Sequence, residues 1–305
     1  MKKTNSQHIP YQEHYRGRFA PSPSGELHFG SLLAAMASYA DARHHQGDWL
    51  VRIDDIDSAR VVAGSDKHIL STLEACGFQW DESIDYQSQH IERYQHALDL
   101  LQQNHHCYPC TCSRKQLKTQ GYTGIYPGLC RANDWATMKH NNYAIRLKVS
   151  NKQMGFTDRI QQEHQQILSQ DVGDFIIYRR DQVFSYQLSM VVDDFYSGIT
   201  QVVRGYDLLD STIKQMYLQQ LLGYPTPIYA HIPLAISPQA LKLSKLSQAK
   251  KITCDLKTLV QAAQFLGQKI LMDTDFENKN DFWQYLIRHW DINTVPRMEK
   301  QMVLY

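Results

Sequence analysis

Arg18-Phe19-Ala20-Pro21-Ser22-Pro23-Ser24-Gly25-Glu26-Leu27-His28-Phe29-Gly30-Ser31 carries more chemistry than any other stretch of this sequence. A short strand, Tyr15–Ala20, delivers the chain to a loop held by prolines and a glycine, and a helix starts directly after it. Free backbone N–H groups at a helix start attract phosphate. His28 falls in the first turn, where its imidazole can touch a phosphate oxygen. Gly30 has no Cβ to keep a flat ring or a backbone at a distance. Far along the chain, Leu241-Lys242-Leu243-Ser244-Lys245 sets two lysines close together in a turn-prone segment. Such a pair can close over a triphosphate and meet charge that develops as pyrophosphate leaves.

Four more side chains suit an amino-acid ligand. Arg18 and Arg204 go with predicted strands and offer cationic donors for carboxylates. Asp54 ends the strand Val51-Arg52-Ile53 and can accept from an ammonium group. Tyr186, ahead of Gln187-Leu188, carries a phenol that can help hold the same molecule.

The six cysteines divide into two kinds. Cys76 and Cys254 stand alone and read as buried small hydrophobes. Cys107, Cys110, Cys112 and Cys130 crowd into one segment, and in a reducing compartment clustered cysteines are more often metal ligands than disulfides. A structural zinc wants four ligands in a tetrahedron, with thiolate preferred. Cys110-x-Cys112 followed by Cys130 supplies three, and the fourth is open between Tyr126 and Cys107.

The run from Arg18 to Ser31 resembles the HIGH signature of class I aminoacyl-tRNA synthetases in the glutamyl/glutaminyl form, with Ser31 in place of the second histidine. Leu241–Lys245 resembles the KMSKS loop in sequence and in place. The resemblance spans about Arg16 to Lys251. It implies ATP with Mg²⁺ as a substrate, held by His28, Gly30, Ser31 and Lys245, with His28, Lys242 and Lys245 as the catalytic groups. It also implies L-glutamate held by Arg18, Phe19, Ala20, Pro21, Ser22, Asp54, Tyr186 and Arg204. Asp54 stands where the family commonly has Glu. The cysteine segment is similar to the zinc site of the glutamyl-queuosine tRNA(Asp) branch of that family, where a tyrosine completes the set. Tyr126 matches by its four-residue lead to Cys130, giving one structural zinc on Cys110, Cys112, Tyr126 and Cys130. After Leu241–Lys245 the chain is too short for the anticodon-binding domain of a full glutamyl-tRNA synthetase. The resemblance therefore implies activation of glutamate to glutamyl-adenylate and transfer to queuosine in the anticodon of tRNA(Asp). The rivals are a minimal enzyme charging the 3′ end of tRNA(Glu) and a non-catalytic RNA-binding paralogue.

The elements that must position these groups read as an α/β fold, a doubly wound parallel sheet. Helix is predicted over Leu27–His44, with an apolar side at helical spacing, and near Ser65–Cys76 and Ile91–Gln103; Trp49–Ile53 is a strand. Residues 16–106 form the first half of the sheet and 107–185 an inserted zinc-containing domain. Within it, Tyr143–Val149 is a strand and Asp174–Arg179 makes a hairpin with Val183–Tyr186. Residues 186–236 return to the core with a helix at Gln187–Tyr196, a strand at Thr200–Arg204 and a helix from about Asp210 to Leu222. Residues 237–305 hold the lysine loop and a short segment that reads as helical to the end.

Composition bounds the partners. Lys+Arg 32 against Asp+Glu 31 leaves a net charge of +1, which excludes a basic-tail binder but not a local basic surface. Residues 100–133 and 211–254 contain no acid, while Arg114, Lys115, Lys118, Arg131, Lys214, Lys250 and Lys251 lie in them. Two such stretches suggest phosphate contacts. The first fifteen residues read as a loosely held lead-in with no apolar core for a secretory signal, and the best apolar run is too short to span a bilayer. The chain reads as cytoplasmic.

Overall fold

The computed structural model describes residues 14–138, 142–236, 252–270 and 276–303. Strand β1 (Arg16–Phe19) leads through the proline loop to helix α1 (Phe29–His44), then β2 (Asp48–Ile53), α2 (Ser65–Ala75), β3 (Asp85–Tyr86) and α3 (Ile91–Gln103). The three strands are parallel, in the order β1-β2-β3. Helix α1 is buried on more than the one side expected: Leu32, Leu33, Ala35, Met36, Ala37, Tyr39 and Ala40 are all inaccessible. Helices covered on every side are core helices, and burial of Leu32, Leu33 or Met36 contributes about 1.5–3 kcal/mol each.

The following segment brings β4 (Cys107–Cys110), α4 (Arg114–Thr119), β5 (Ala144–Leu147), β6 (Gln153–Asp158), β7 (Gln162–Ile167) and β8 (Phe175–Tyr178). Strands β4, β5 and β8 form one antiparallel sheet, and β6 and β7 a separate hairpin. The hairpin expected around Arg180-Asp181 is reduced to β8 and a single bridge between Tyr178 and Phe184. Its second arm is too short because Tyr186 already opens the next helix.

The chain then returns through α5 (Tyr186–Tyr196), β9 (Gln201–Gly205), α6 (Leu209–Leu222), β10 (Ile228–Ile232) and β11 (Leu234–Ile236). Strands β9 and β10 are parallel. The start of β9 adjoins the start of β1, where Thr200 N–H donates to the Arg16 carbonyl at 3.0 Å. Among the described residues the two parallel sheets are not joined by a ladder but meet side by side at β1 and β9, so the order across them is β3-β2-β1-β9-β10, reversing between β1 and β9. Open α/β sheets bind ligands at that point, beyond the carboxyl ends of the strands.

Helices α7 (Leu256–Phe265) and α8 (Lys279–His289) follow, but the end is not helical as expected. Lys300–Met302 is a strand, β12, parallel to β11. Three residues carry too little pattern to show this, and the pairing partner lies far back in the chain. The reading of Cys76 and Cys254 as lone cysteines is also corrected. Their sulfurs are bonded, joining the end of α2 to the turn before α7 across 178 residues of sequence, a separation that hid the pairing. Asp41 on α1 draws the pieces together further: Tyr15 donates to it at 2.5 Å, Arg159 Nη2 at 3.0 Å and Trp290 Nε1 at 3.0 Å. Among the described residues no helix is long and apolar enough to cross a membrane.

Candidate active site

A crevice of about 770 Å³ opens where the strand order reverses, lined by Phe19, Ala20, Pro21, Ser22, His28, Gly30, Ser31, Gly205 and Leu234 among others. His28 is the cap of α1, one residue before the helix rather than in its first turn. Its Nδ1 accepts the Ser31 N–H at 3.2 Å, and its Nε2 is 3.3 Å from Ser31 Oγ. The imidazole therefore folds back over Gly30, where a Cβ would lie 3.1 Å from His28 Cε1. The flat ring that Gly30 admits is that of its neighbour. Asp207 also lines the crevice, and a Cβ on Gly205 would lie 2.8 Å from its Oδ1. Sequence reasoning passed over Asp207, although it stands three residues after Arg204 at a strand end. Lys242 and Lys245 lie outside the described residues.

Arg18, Asp54 and Arg204 all act electrostatically on Tyr186. Burial raises the Tyr186 phenol pKa against the opposing pull of Arg204 and Arg18, with Asp54 and Asp194 adding to the rise. Arg18 holds Asp194 with both ends of its fork, at 3.1 Å each. Arg52 donates to Asp54 at 3.0 Å and to Asp194 at 2.9 Å, and its Nε is 3.6 Å from Asp193. Asp193 also accepts from Gln87 and Tyr94 at 2.7 Å. This network was missed in the sequence, where Val191-Val192-Asp193-Asp194 shows only two acids on an apolar helix. Two arginines face three aspartates, so the full set is one cation short of balance. Burial is the larger influence on Asp54 and lifts its pKa to about 7 despite Arg52. On Asp194 burial is outweighed by Arg18 and Arg52, and the pKa falls.

The sulfurs of Cys110, Cys112 and Cys130 lie within 4.8 Å of one another. Tyr126 OH is 3.5 Å from Cys110 Sγ and 3.4 Å from Cys112 Sγ, so the phenol closes the fourth corner. Cys107 is on the same strand but packs in a different core cluster, with Leu147 and Leu188. Burial pushes its thiol up to about 12. Burial would also raise Cys130, but bonds from Tyr126, the Thr111 backbone and the other two thiols bring it down to about 7. Arg146 donates to Cys110 Sγ at 3.3 Å and lies 3.8 Å over the Tyr126 ring, a cation suited to an anionic sulfur cluster. Three sulfurs and one phenol oxygen with this spacing fit a closed tetrahedral metal site.

The first acid-free stretch exposes Arg114, Lys115 and Lys118 on α4, which Ser113 and Gln116 cap reciprocally. Arg131 does not join them: both ends of its fork meet Asp174 at 2.5 Å.

The family described as tRNA synthetases class I (E and Q), catalytic domain, matches residues 14–263. The glutamyl-Q tRNA(Asp) synthetase of Pseudomonas aeruginosa is 45% identical over 285 residues, 93% of this chain and 96% of that protein. That of Dechloromonas aromatica is 46% identical over 291 residues, covering 93% and 96%. Among solved structures, a glutamate tRNA ligase from Elizabethkingia meningosepticum in complex with its amino acid superposes with a TM-score of 0.78 at 21% identity, over 96% of this chain and 67% of that one. The glutamate-tRNA synthetase of Elizabethkingia anophelis gives 0.77 at 22%, over 94% and 68%. The chain therefore has the catalytic fold of this family and belongs to the class I tRNA synthetases of the E and Q group.

Proposed function

We infer that the protein activates L-glutamate with ATP and passes the glutamyl group to queuosine in the anticodon of tRNA(Asp). The observation that carries the first half is that Arg18, Asp54 and Arg204 all act electrostatically on Tyr186, while Phe19 and Gly205, the residues next to Arg18 and Arg204, line the crevice. Arg204 takes a substrate carboxylate. The substrate ammonium supplies the cation that the Arg18–Arg52–Asp54–Asp193–Asp194 network lacks, with Asp54 as its acceptor. Phe19, Ala20, Pro21 and Ser22 form the floor, and the triphosphate of ATP, carried with Mg²⁺, lies against His28, Gly30 and Ser31. The α-carboxylate attacks the α-phosphorus in line, a bond forms to phosphorus, and pyrophosphate leaves. Lys242 and Lys245 offset the departing charge. Catalysis is chiefly orientation and electrostatic stabilisation. The queuosine base then displaces AMP from the glutamyl carbonyl.

Cys110, Cys112, Tyr126 and Cys130 hold one structural zinc, which stiffens the segment around β4 and α4 and supplies no step of the reaction. The exposed cations of α4 serve tRNA phosphates. Residues 107–185 act as the acceptor-side insertion, between the catalytic halves 16–106 and 186–236, and the reaction takes place in the cytoplasm. The acceptor reading is supported by the names of the relatives at 45–47% identity, whose whole length this chain nearly matches.

Mapping labelled glutamate on bulk tRNA tests it. Label should survive prior periodate oxidation of the 3′ diol and disappear on tRNA from cells that make no queuosine. Labelling abolished by periodate would instead assign the protein to 3′ charging.

A further inference from the structure

Arg204 is 5% exposed, yet every acceptor it meets is uncharged. Its Nε donates to His231 Nε2 at 3.0 Å, Nη1 to Gln215 Oε1 at 2.8 Å, and Nη2 to Thr212 Oγ1 at 2.9 Å and to the Leu208 carbonyl at 3.3 Å. Buried arginines are ordinarily paired with carboxylates, as Arg18 and Arg52 are on Asp194. No carboxylate lies within ion-pair distance of Arg204 among the described residues. Of its five N–H groups, four are engaged, and one on Nη1 remains.

The bond to His231 fixes a proton. A guanidinium only donates, so His231 Nε2 must present its lone pair, and the ring proton sits on Nδ1. Nδ1 donates to Asp158 Oδ2 at 2.6 Å. Asp158 is itself held, its Oδ1 accepting from the backbone N–H of Ile160 and Gln161 at 2.9 Å and of His231 at 3.1 Å. An imidazolium would turn an N–H toward the Arg204 Nε–H. Burial above all, with Arg204 and His164 adding, keeps the ring neutral against the pull of Asp158, and lowers its pKa to about 4.

We propose that Asp158 and His231 are positioning residues that hold Arg204 in place with its charge uncancelled, and thereby set the preference for glutamate over glutamine. A neutral acceptor anchors the guanidinium while leaving its full charge for a substrate carboxylate. A carboxylate at the same place would anchor it and cancel the charge. Asp158 lies at the end of β6, so the inserted segment reaches the amino-acid pocket through two hydrogen bonds. The proposal rests on the reading that Arg204 meets the side-chain carboxylate of glutamate, the group that glutamine lacks.

Amino-acid-dependent ATP–pyrophosphate exchange with glutamate and with glutamine tests it. His231→Leu should raise the glutamate KM roughly ten- to hundredfold with little change in kcat, the consequence of an unanchored donor. His231→Gln, which restores a neutral acceptor, should stay within about threefold of the parent. His231→Glu should lose the preference for glutamate. If His231→Leu does not fold, the Gln and Glu variants still separate a neutral from a charged anchor. The ¹⁵N spectrum of histidine-labelled protein, with His231 assigned by the Gln variant, should show the Nδ1–H tautomer between about pH 5 and 8. An imidazolium or the other tautomer overturns the proposal. So does a His231→Leu variant with the parent's KM when Arg204→Leu raises it, while an Arg204→Leu variant with unchanged KM overturns the underlying reading of Arg204.

Discussion

Arg18 grips Asp194 through both ends of its fork, Nε to Oδ1 and Nη2 to Oδ2, each at 3.1 Å. The same carboxylate takes a third bond from Arg52, so one helix residue fixes two strand arginines. Asp194→Ala leaves both guanidinium groups buried without that partner and should cost about 3–5 kcal/mol of stability. Urea unfolding followed by far-UV circular dichroism checks this, and a loss under about 1 kcal/mol would place the pair in solvent-like surroundings.

The Asp54 carboxyl gives a pH dependence with a definite sign. The fold holds its proton more tightly than the unfolded chain does, so this group favours folding below about pH 3.9, and that contribution is lost as pH rises through about 7. An ammonium ligand needs the carboxylate instead. The glutamate KM in pyrophosphate exchange should therefore fall as pH rises toward 7, by up to about tenfold per unit. Asp54→Asn should raise KM and flatten this limb; an unchanged limb in that variant assigns it to another group.

Gly30 is confined by the ring folded over it. Gly30→Ala must displace His28 or the start of α1 by a few tenths of an ångström. Turnover in pyrophosphate exchange should drop roughly tenfold or more, because small misplacements at a reacting centre are expensive. The glutamate KM should change much less, and a larger effect on glutamate than on ATP would place His28 at the wrong substrate.

Zinc content separates the sulfur ligands. Cys112→Ala should lose the metal and loosen the β4–α4 segment while the parallel sheet stays folded. Cys107→Ala should keep full occupancy, and Tyr126→Phe should lower affinity. Elemental analysis with a chelator competition reads all three. A metal-free parent protein, or full zinc in the Cys112 variant, overturns the assignment.

Much of this was legible in the residues. The strand–proline loop–helix run ending at Ser31, the helix over Ile91–Gln103 and the Cys110–Cys112–Cys130 set all carry their signal locally, in spacing and residue type. What was not legible depends on distant partners. The β6–β7 hairpin is nearly all polar at Gln162-Glu163-His164-Gln165-Gln166, so no alternation announced it. Arg52, Asp193 and Asp194 carry no local signal, because their network forms only where α5 lies against the sheet. His231 and Asp158 meet across 73 residues, and no local pattern encodes that. Spacing alone left Tyr126 and Cys107 both open as the fourth ligand, because Tyr126 lies in a loop whose course back to the sulfurs no local pattern encodes.

The bond between Cys76 and Cys254 turns the intervening chain into a covalent ring. Both lysines of Leu241–Lys245, the sulfur cluster and β9 all lie within it. A single proteolytic nick anywhere in that ring leaves one molecule of unchanged mass on a denaturing gel, apart from the water added. Only a reducing agent separates the pieces, so limited digestion of this protein reports its cut sites truthfully only when every sample is run in both conditions.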